Sequence, residues 1–205
     1  MMKGLCLLLA VLSAAQGKTL RAEEEPLKVQ VYYETLCPDS IAFITKQLYP
    51  TYAALKEWID LELIPWGYAS EEIVNGTKTF TCQHGVAECH GNIVHACAIN
   101  LTTVEKSTEF AFCSERSEAP SDDIILKECA EIIEIAWDDL EDCISNGKGA
   151  DLLSENDKKT KLVDPAFIPT IVLNGTFSQV IQDESLTQFK LLICSLIGNP
   201  PECRC

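Results

Sequence analysis

A cysteine set between two regular hydrophobic periods constrains this chain more than any other feature. Leu27, Val29, Val31 and Tyr33 alternate along the sequence, the period of a strand with one better-buried face. Cys37-Pro38-Asp39-Ser40 follows, and then Ile41, Ile44, Leu48, Tyr52 and Leu55 recur at three- and four-residue spacing, the period of a helix. Proline suits the first helical turn, where its missing N–H loses no partner. A helix is therefore predicted from Pro38, with Cys37 at its N-terminus, and Pro50 must kink or restart it. Ile59, Leu61 and Leu63 alternate again toward Pro65, giving a second strand parallel to the first through a right-handed crossover. The result is a βαβ unit with a thiol where strand turns into helix.

A second sheet-forming stretch lies near the C-terminus. Residues 167–173 read as a strand, Asn174-Gly175 as its hairpin turn and residues 178–181 as the return strand. Leu186, Phe189, Ile193 and Leu196 then form the apolar stripe of a closing helix. Between the halves, from about 67 to 161, the apolar spacing is helical where it is regular. Ile125, Cys129, Ile132, Ala136, Leu140 and Cys143 share one face, with Ser121 and Asp122 placed to cap its start. Residues 148–161 are polar and charged and read as a solvated helix or loop. The expectation is an α/β fold, a βαβ…ββα sheet, in which residues 18–205 form a single domain with a cysteine-rich helical insertion at about 67–161.

Met1-Met2-Lys3, an apolar run over 5–12 and small residues at Ala15 and Gly17 read as a signal peptide over residues 1–17. That run is too short to span a bilayer, and no later segment approaches the roughly 20 apolar residues a span needs. The mature chain is thus expected in a secretory or lysosomal/endosomal lumen. Of eleven cysteines only Cys6 falls in the leader, and a secreted protein at this density uses most of them as disulfides, whose connectivity spacing does not reveal. Parity adds one constraint. If Cys37 stays free, at least one other cysteine lacks an intramolecular partner, and Cys205 is the first candidate, as a free thiol or as the link of a disulfide-joined dimer. Asn75-Gly76-Thr77, Asn100-Leu101-Thr102 and Asn174-Gly175-Thr176 would be surface glycosylation sites in the same compartment. The formal charge of −15 disfavours nucleic acid and anionic membrane surfaces as partners. It reads as a soluble surface or, second, as the mark of an acidic compartment.

A dithiol Cys-x-x-Cys site reduces a disulfide in two strokes: one thiolate forms a mixed disulfide, and the second thiol releases the product. Here the nucleophile position holds Cys37 and the resolving position holds Ser40, so only the first stroke is internal to the protein. The unpaired N–H groups and partial positive charge of a helix N-terminus favour thiolate at Cys37; Asp39 and Glu34, as like charges, oppose it. The alternative is a structural disulfide between Cys37 and another cysteine.

The middle of the chain carries Cys82-Gln83-His84-Gly85, then Glu88-Cys89, Asn92 and Cys97. This segment resembles the gamma-interferon-inducible lysosomal thiol reductase family, whose signature C-Q-H-G-x-x-E-C-x-x-N-x-x-x-x-C is met at every defined position. The resemblance continues through Pro65-Trp66-Gly67, Cys113, Cys129 and Cys143, Ile168-Pro169-Thr170 ahead of Val172-Leu173-Asn174-Gly175, and Cys194. It implies a thioredoxin-like fold with a disulfide-bonded helical insertion, acting on disulfides of unfolding proteins in acidic endosomes and lysosomes. By that resemblance the active dithiol maps onto Cys37 and Ser40, and Cys82, Cys89, Cys97, Cys113, Cys129, Cys143, Cys194 and Cys203 are structural. Pro169 maps onto the cis-proline that borders such sites, where it would present the Ile168 backbone to an extended substrate.

His84, His90 and His95 all lie among Cys82, Cys89 and Cys97, so zinc must be weighed. Metal ligands usually come as close pairs such as C-x-x-C and H-x-x-x-H, whereas six and seven residues separate these cysteines. Disulfides are expected there, with no metal or other cofactor, and the histidines read as polar packing of a knotted loop or as pH-sensitive surface groups. Two functions fit. One is a thiol-disulfide oxidoreductase or isomerase acting on disulfide-containing or unfolded proteins through Cys37 alone, weakened by Ser40 and released by a substrate thiol or a small external thiol. The other is a secreted binding protein that kept the fold but lost turnover, holding partners non-covalently or as a mixed disulfide.

Overall fold

Strand β1 (Leu27–Tyr33) is the middle of three in a computed structural model that describes residues 25–204. The 1–17 leader and Cys205 lie outside the described residues. β2 (Ile59–Pro65) runs parallel to β1 in the register Leu27↔Ile59 to Tyr33↔Pro65, and β5 (Thr170–Leu173) runs antiparallel to it, Val29↔Leu173 to Tyr32↔Thr170. A central strand is covered on both faces. Val29, Val31 and Tyr33 point into the main core with Phe43, Ile44, Leu48, Leu55, Phe189 and Ile193, while Tyr32 joins Ile64 and Val172 beneath Val163 on the other face.

The helix predicted from Pro38 begins there. It is assembled from α1 (Pro38–Phe43), a π-helical turn over Ile44–Leu48, and α2 (Tyr49–Leu55). Pro50 explains the break: it has no N–H for the carbonyl one turn back, and the wider π turn absorbs the loss without ending the helix. Gln47, in that turn, reaches the last helix of the chain. Its Oε1 accepts from Phe189 N–H at 3.1 Å and its Nε2 donates to the Thr187 carbonyl at 3.2 Å, at the point where Gln188 leaves helical geometry.

Three expectations need correction. Residues 178–181 are no return strand: the Asn174-Gly175 turn closes only a Leu173↔Thr176 bridge. Ser178 then caps α8 (Gln179–Leu196), its hydroxyl accepting from Ile181 N–H, so this stretch becomes a first helical turn. The face from Ile125 to Cys143 is split between α5 (Asp123–Ile132) and α6 (Trp137–Ser145), because Glu134 takes a positive φ of 59° between them and leaves Ile132 exposed. Asp122 does cap α5, accepting from Ile124 N–H at 2.9 Å. Third, a hairpin precedes the helices of the middle segment: β3 (Ser70–Val74) and β4 (Thr77–Thr81) pair around Asn75-Gly76. Its residues are largely exposed, so burial leaves no strong alternation to read.

The remaining helices are α3 (Val86–Leu101), α4 (Val104–Glu115) and α7 (Lys148–Val163). α7 is the charged 148–161 stretch, and its inner face is bound to the sheet: Asn156 Nδ2 donates to the Pro65 carbonyl at 3.1 Å, and Lys159 pairs with Glu62 at 2.7 Å. Four disulfides join the described residues. Cys82–Cys89 closes the entry to α3, Cys97–Cys143 ties α3 to α6, Cys113–Cys129 ties α4 to α5, and Cys194–Cys203 ties α8 to the C-terminal turn. Among the described residues no helix is long and apolar enough to cross a membrane.

Candidate active site around Cys37

Cys37 is the N-cap residue of α1, its backbone still extended and its carbonyl accepting from Ile41 N–H at 3.0 Å. It is the free cysteine among the described residues and is nearly buried. Its Sγ lies 3.6 Å from the carbonyl oxygen of Ile168, whose bond to Pro169 is cis. The chain thus brings together two segments 131 residues apart. Gln182 fixes the second of them, Nε2 donating to the Pro169 carbonyl at 2.8 Å and Oε1 accepting from Ile171 N–H at 3.1 Å. Nothing in the local sequence marks this glutamine; its neighbours make it one more residue of a helix start.

Ser40 sits one turn into α1 and is completely buried. Its hydroxyl oxygen accepts from Glu34 N–H at 3.3 Å, which ties the helix back to the end of β1. A hydroxyl there satisfies a backbone donor but offers no redox chemistry.

The signature segment supports the turn that carries Cys37. Asn92 Oδ1 accepts from Thr35 N–H at 3.1 Å, and Thr35 Oγ1 donates to the Glu88 carbonyl at 3.3 Å. Such close approach needs Gly91: a Cβ at that position would fall 2.2 Å from Ser121 Oγ and 2.5 Å from Thr35 Oγ1. Gly85 begins α3, Cys82 and Cys89 are bonded to each other, and Gln83 is exposed without a polar partner to define its role. The signature is therefore largely a brace for the Cys37 loop.

Buried ionisable groups surround this brace. Glu34, Glu88 and Glu115 are wholly inaccessible. Burial raises the Glu34 carboxyl to about 7, against the lowering effect of Tyr68 N–H, with Glu88 adding and His84 subtracting. Burial, and then the charge of Glu88, holds Glu115 well above the usual carboxyl range, and neither of its oxygens has a hydrogen-bond partner. His95 is buried and lowered to about 3 by desolvation; its ring nitrogens share hydrogen bonds with the Tyr33 hydroxyl and with Ser114 Oγ, each at 2.9 Å. His90 instead pairs with Asp123 at the surface, 2.6 Å away. Of the three histidines only His84 meets a set of groups able to hold a metal ion, with Glu34 and Glu88 as the others. In the sequence Glu34 stands out only as a charge near Cys37.

Residues 28–133 match the family described as gamma interferon inducible lysosomal thiol reductase. The chain belongs to that family. It is 34% identical over 195 residues to a gamma-interferon-inducible lysosomal thiol reductase-like protein of Anopheles gambiae, covering 88% of this chain and 81% of that one. It is also 31% identical over 193 residues to the gamma-interferon-inducible lysosomal thiol reductase of Carassius auratus, covering 91% and 74%. Among solved structures, DsbA from Mycobacterium tuberculosis superposes with a TM-score of 0.59 at 16% identity over 93% of this chain and 92% of that chain. The cytosolic disulfide reductase DsbM from Pseudomonas aeruginosa gives 0.59 at 13% identity over 82% and 96%. At such identities the likeness is one of fold, and the fold is thioredoxin-like. In this thiol reductase family member the cysteine side of the pair stands beside the cis bond, and serine occupies the other.

Proposed function

We propose that this chain exchanges disulfides with protein substrates through Cys37 alone. The observation that carries the reading is the placement of an unpaired thiol at a helix N-terminus, 3.6 Å from the carbonyl before a cis-proline. An extended substrate laid along residues 167–169 would bring its own disulfide to Cys37 Sγ. The thiolate attacks one substrate sulfur, a Cys37–substrate bond forms, and the other substrate sulfur leaves as thiolate. Ser40 has no sulfur with which to attack that mixed disulfide. Release falls to a second thiol of the substrate, which yields isomerisation with no net redox change, or to a small external thiol such as cysteine or glutathione: it attacks Cys37 Sγ, the substrate leaves as its second thiolate, and a second equivalent frees Cys37 by forming the external disulfide, so two external thiols are oxidised for each substrate disulfide reduced. Tyr68, whose backbone bonds Glu34, and Phe177, packed on Phe167, are exposed aromatic groups beside the two segments, suited to an unfolding chain.

The working compartment in this reading is an acidic or secretory lumen, entered through the 1–17 leader. The disulfides support it, as do Glu34 and Glu115, buried carboxyls that favour the folded state in acid. Asn75, Asn100 and Asn174 are exposed and accessible for glycosylation. A second reading, a partner-holding protein without turnover, draws on the burial of both Cys37 and Ser40. Trapping separates the two. With no resolving thiol, wild type should accumulate mixed disulfides with reduced-and-scrambled substrate proteins, visible as reductant-sensitive bands on non-reducing electrophoresis and absent from Cys37→Ala. Adducts that persist in Cys37→Ala would move the reactivity to another thiol, Cys205 first; no adducts at all would favour the holding protein.

A further inference from the structure

Two carboxylates and an imidazole meet between the end of β1 and the start of α3. Glu34 and Glu88 are fully buried, and each has one oxygen held by a backbone N–H: Tyr68 N–H donates to Glu34 Oε1 at 2.6 Å, and His84 N–H to Glu88 Oε1 at 3.0 Å. The other oxygens face one atom, His84 Nδ1, from 2.5 Å for Glu88 Oε2 and 3.6 Å for Glu34 Oε2. Glu34 Oε2 is buried with no hydrogen-bond partner. Among the described residues no lysine or arginine pairs with either carboxylate. With no lysine or arginine beside them, the two buried carboxyls share only the His84 imidazole, so charge on both at once is costly away from water unless a cation joins them.

The cluster is also held in place. Gly67, at φ +64°, lies so close that a Cβ there would fall 2.1 Å from the Glu34 side chain, so the loop backbone presses on the carboxylate and fixes its direction. His84 is the open side, its side chain 32% exposed, and gives a path from solvent.

We propose that Glu34, His84 and Glu88 form a binding site for a divalent first-row cation, for which zinc is the best match. One nitrogen and two carboxylate oxygens make a set suited to zinc and its neighbours; calcium and magnesium call for six or more oxygens. Tetrahedral zinc with bonds of about 2.0–2.1 Å sets its ligand atoms roughly 3.3 Å apart. The three ligand atoms here lie within 4.8 Å of one another. The Glu34–His84 distance already suits an ion, and Glu88 and His84 need only part by about 1 Å as the ion takes the place of their shared proton. The two backbone N–H bonds on the outer oxygens orient the ligands in the way outer-shell partners do at metal sites, and the fourth position falls on the solvent side, beside His84. The cation would join the turn three residues before Cys37 to the signature segment, and it stands whether or not Cys37 turns over substrate.

Zinc alone is the probe, titrated calorimetrically into the oxidised mature protein carrying Cys37→Ala, without reductant, so that no free thiol of the Cys37 loop competes. One zinc per chain is expected, with affinity falling at least tenfold in both His84→Asn and Glu34→Gln and unchanged in His90→Asn. Should either site variant fail to fold, cobalt(II) bound to the parent decides. A tetrahedral visible spectrum without sulfur charge transfer supports the site; an octahedral spectrum or sulfur ligation overturns it. No saturable zinc binding by the parent, equal binding by His84→Asn, or loss with His90→Asn would likewise overturn it.

Discussion

The sheet and its three flanking helices bury large apolar side chains, Tyr33, Phe43, Leu48, Leu55 and Phe189 among them. The inserted helices bury a different material: their core combines Phe110, Leu126 and Leu140 with Val94, Ala98, Ala130 and three half-cystines. Three of the four disulfides lie between residues 82 and 143, and the fourth fastens the C-terminal turn to α8. The difference bears on the chemistry. Cys37 stays unpaired because its frame does not need it as a staple, and the apolar sheet half is that frame. The insertion, whose core mixes smaller side chains with half-cystines, relies on covalent ties and in turn braces the Cys37 loop through Asn92, Thr35 and Glu88.

The largest change available to this contrast is Ser40→Cys, which gives the frame a second sulfur. Residues 37 and 40 are one helical turn apart and within reach of a disulfide, and the exchange alters little volume. An internal release step at high effective concentration should raise insulin reduction by orders of magnitude over wild type, with dithiothreitol as electron source. Adding Cys37→Ala should abolish it. A folded but inactive Ser40→Cys would show that the surroundings of Cys37, and not the missing thiol alone, limit the protein.

Next in size is removal of staples. Cys97–Cys143 closes 46 residues and Cys194–Cys203 only 9. In the chain-entropy account, losing the first costs about 4 kcal/mol and losing the second about 2.5 kcal/mol. Paired alanine replacements followed by urea unfolding should reproduce that order, and limited proteolysis should cut the Cys97/Cys143 variant first within the insertion. If the frame opens first, the two halves are not held by different means.

A smaller effect depends on pH. Glu115 titrates well above its usual range in the folded state. Below about pH 4.3 it is protonated in both states and costs nothing; as pH rises past that value the unfolded chain ionises, the folded one holds its proton, and stability falls. Glu115→Gln mimics the protonated form. It should therefore leave the melting temperature near pH 4 unchanged and raise it near pH 7. His95 acts in the opposite direction, its contribution lost as pH falls from about 6.5 toward about 3, so the comparison must be made between variant and wild type at each pH. Equal shifts at both values would remove Glu115 from the account.

Local chemistry made much of this molecule legible before any fold was known. Strand period, helix period, Pro38 at a helix start, the Asn174-Gly175 turn and the Asp122 cap all depend on neighbours in the chain, and each is found where the sequence put it. The placement of Cys37 and Ser40 at a strand-to-helix junction was equally readable, because that junction is a local pattern. The π turn before Pro50, the helix start at Ser178 and the break at Glu134 were not, since each is a choice between allowed local forms settled by what packs against it. The same holds for the site. The carbonyl of Ile168 stands 131 residues from Cys37, Gln182 is a bystander until the sheet closes over it, and Glu34 acquires its buried oxygen and its partners only when α3 and the Gly67 loop fold onto the end of β1. Periodicity records which face of an element is buried. It carries no information on which distant group waits there, and that is fixed only when the sheet, the insertion and the loops exclude water together.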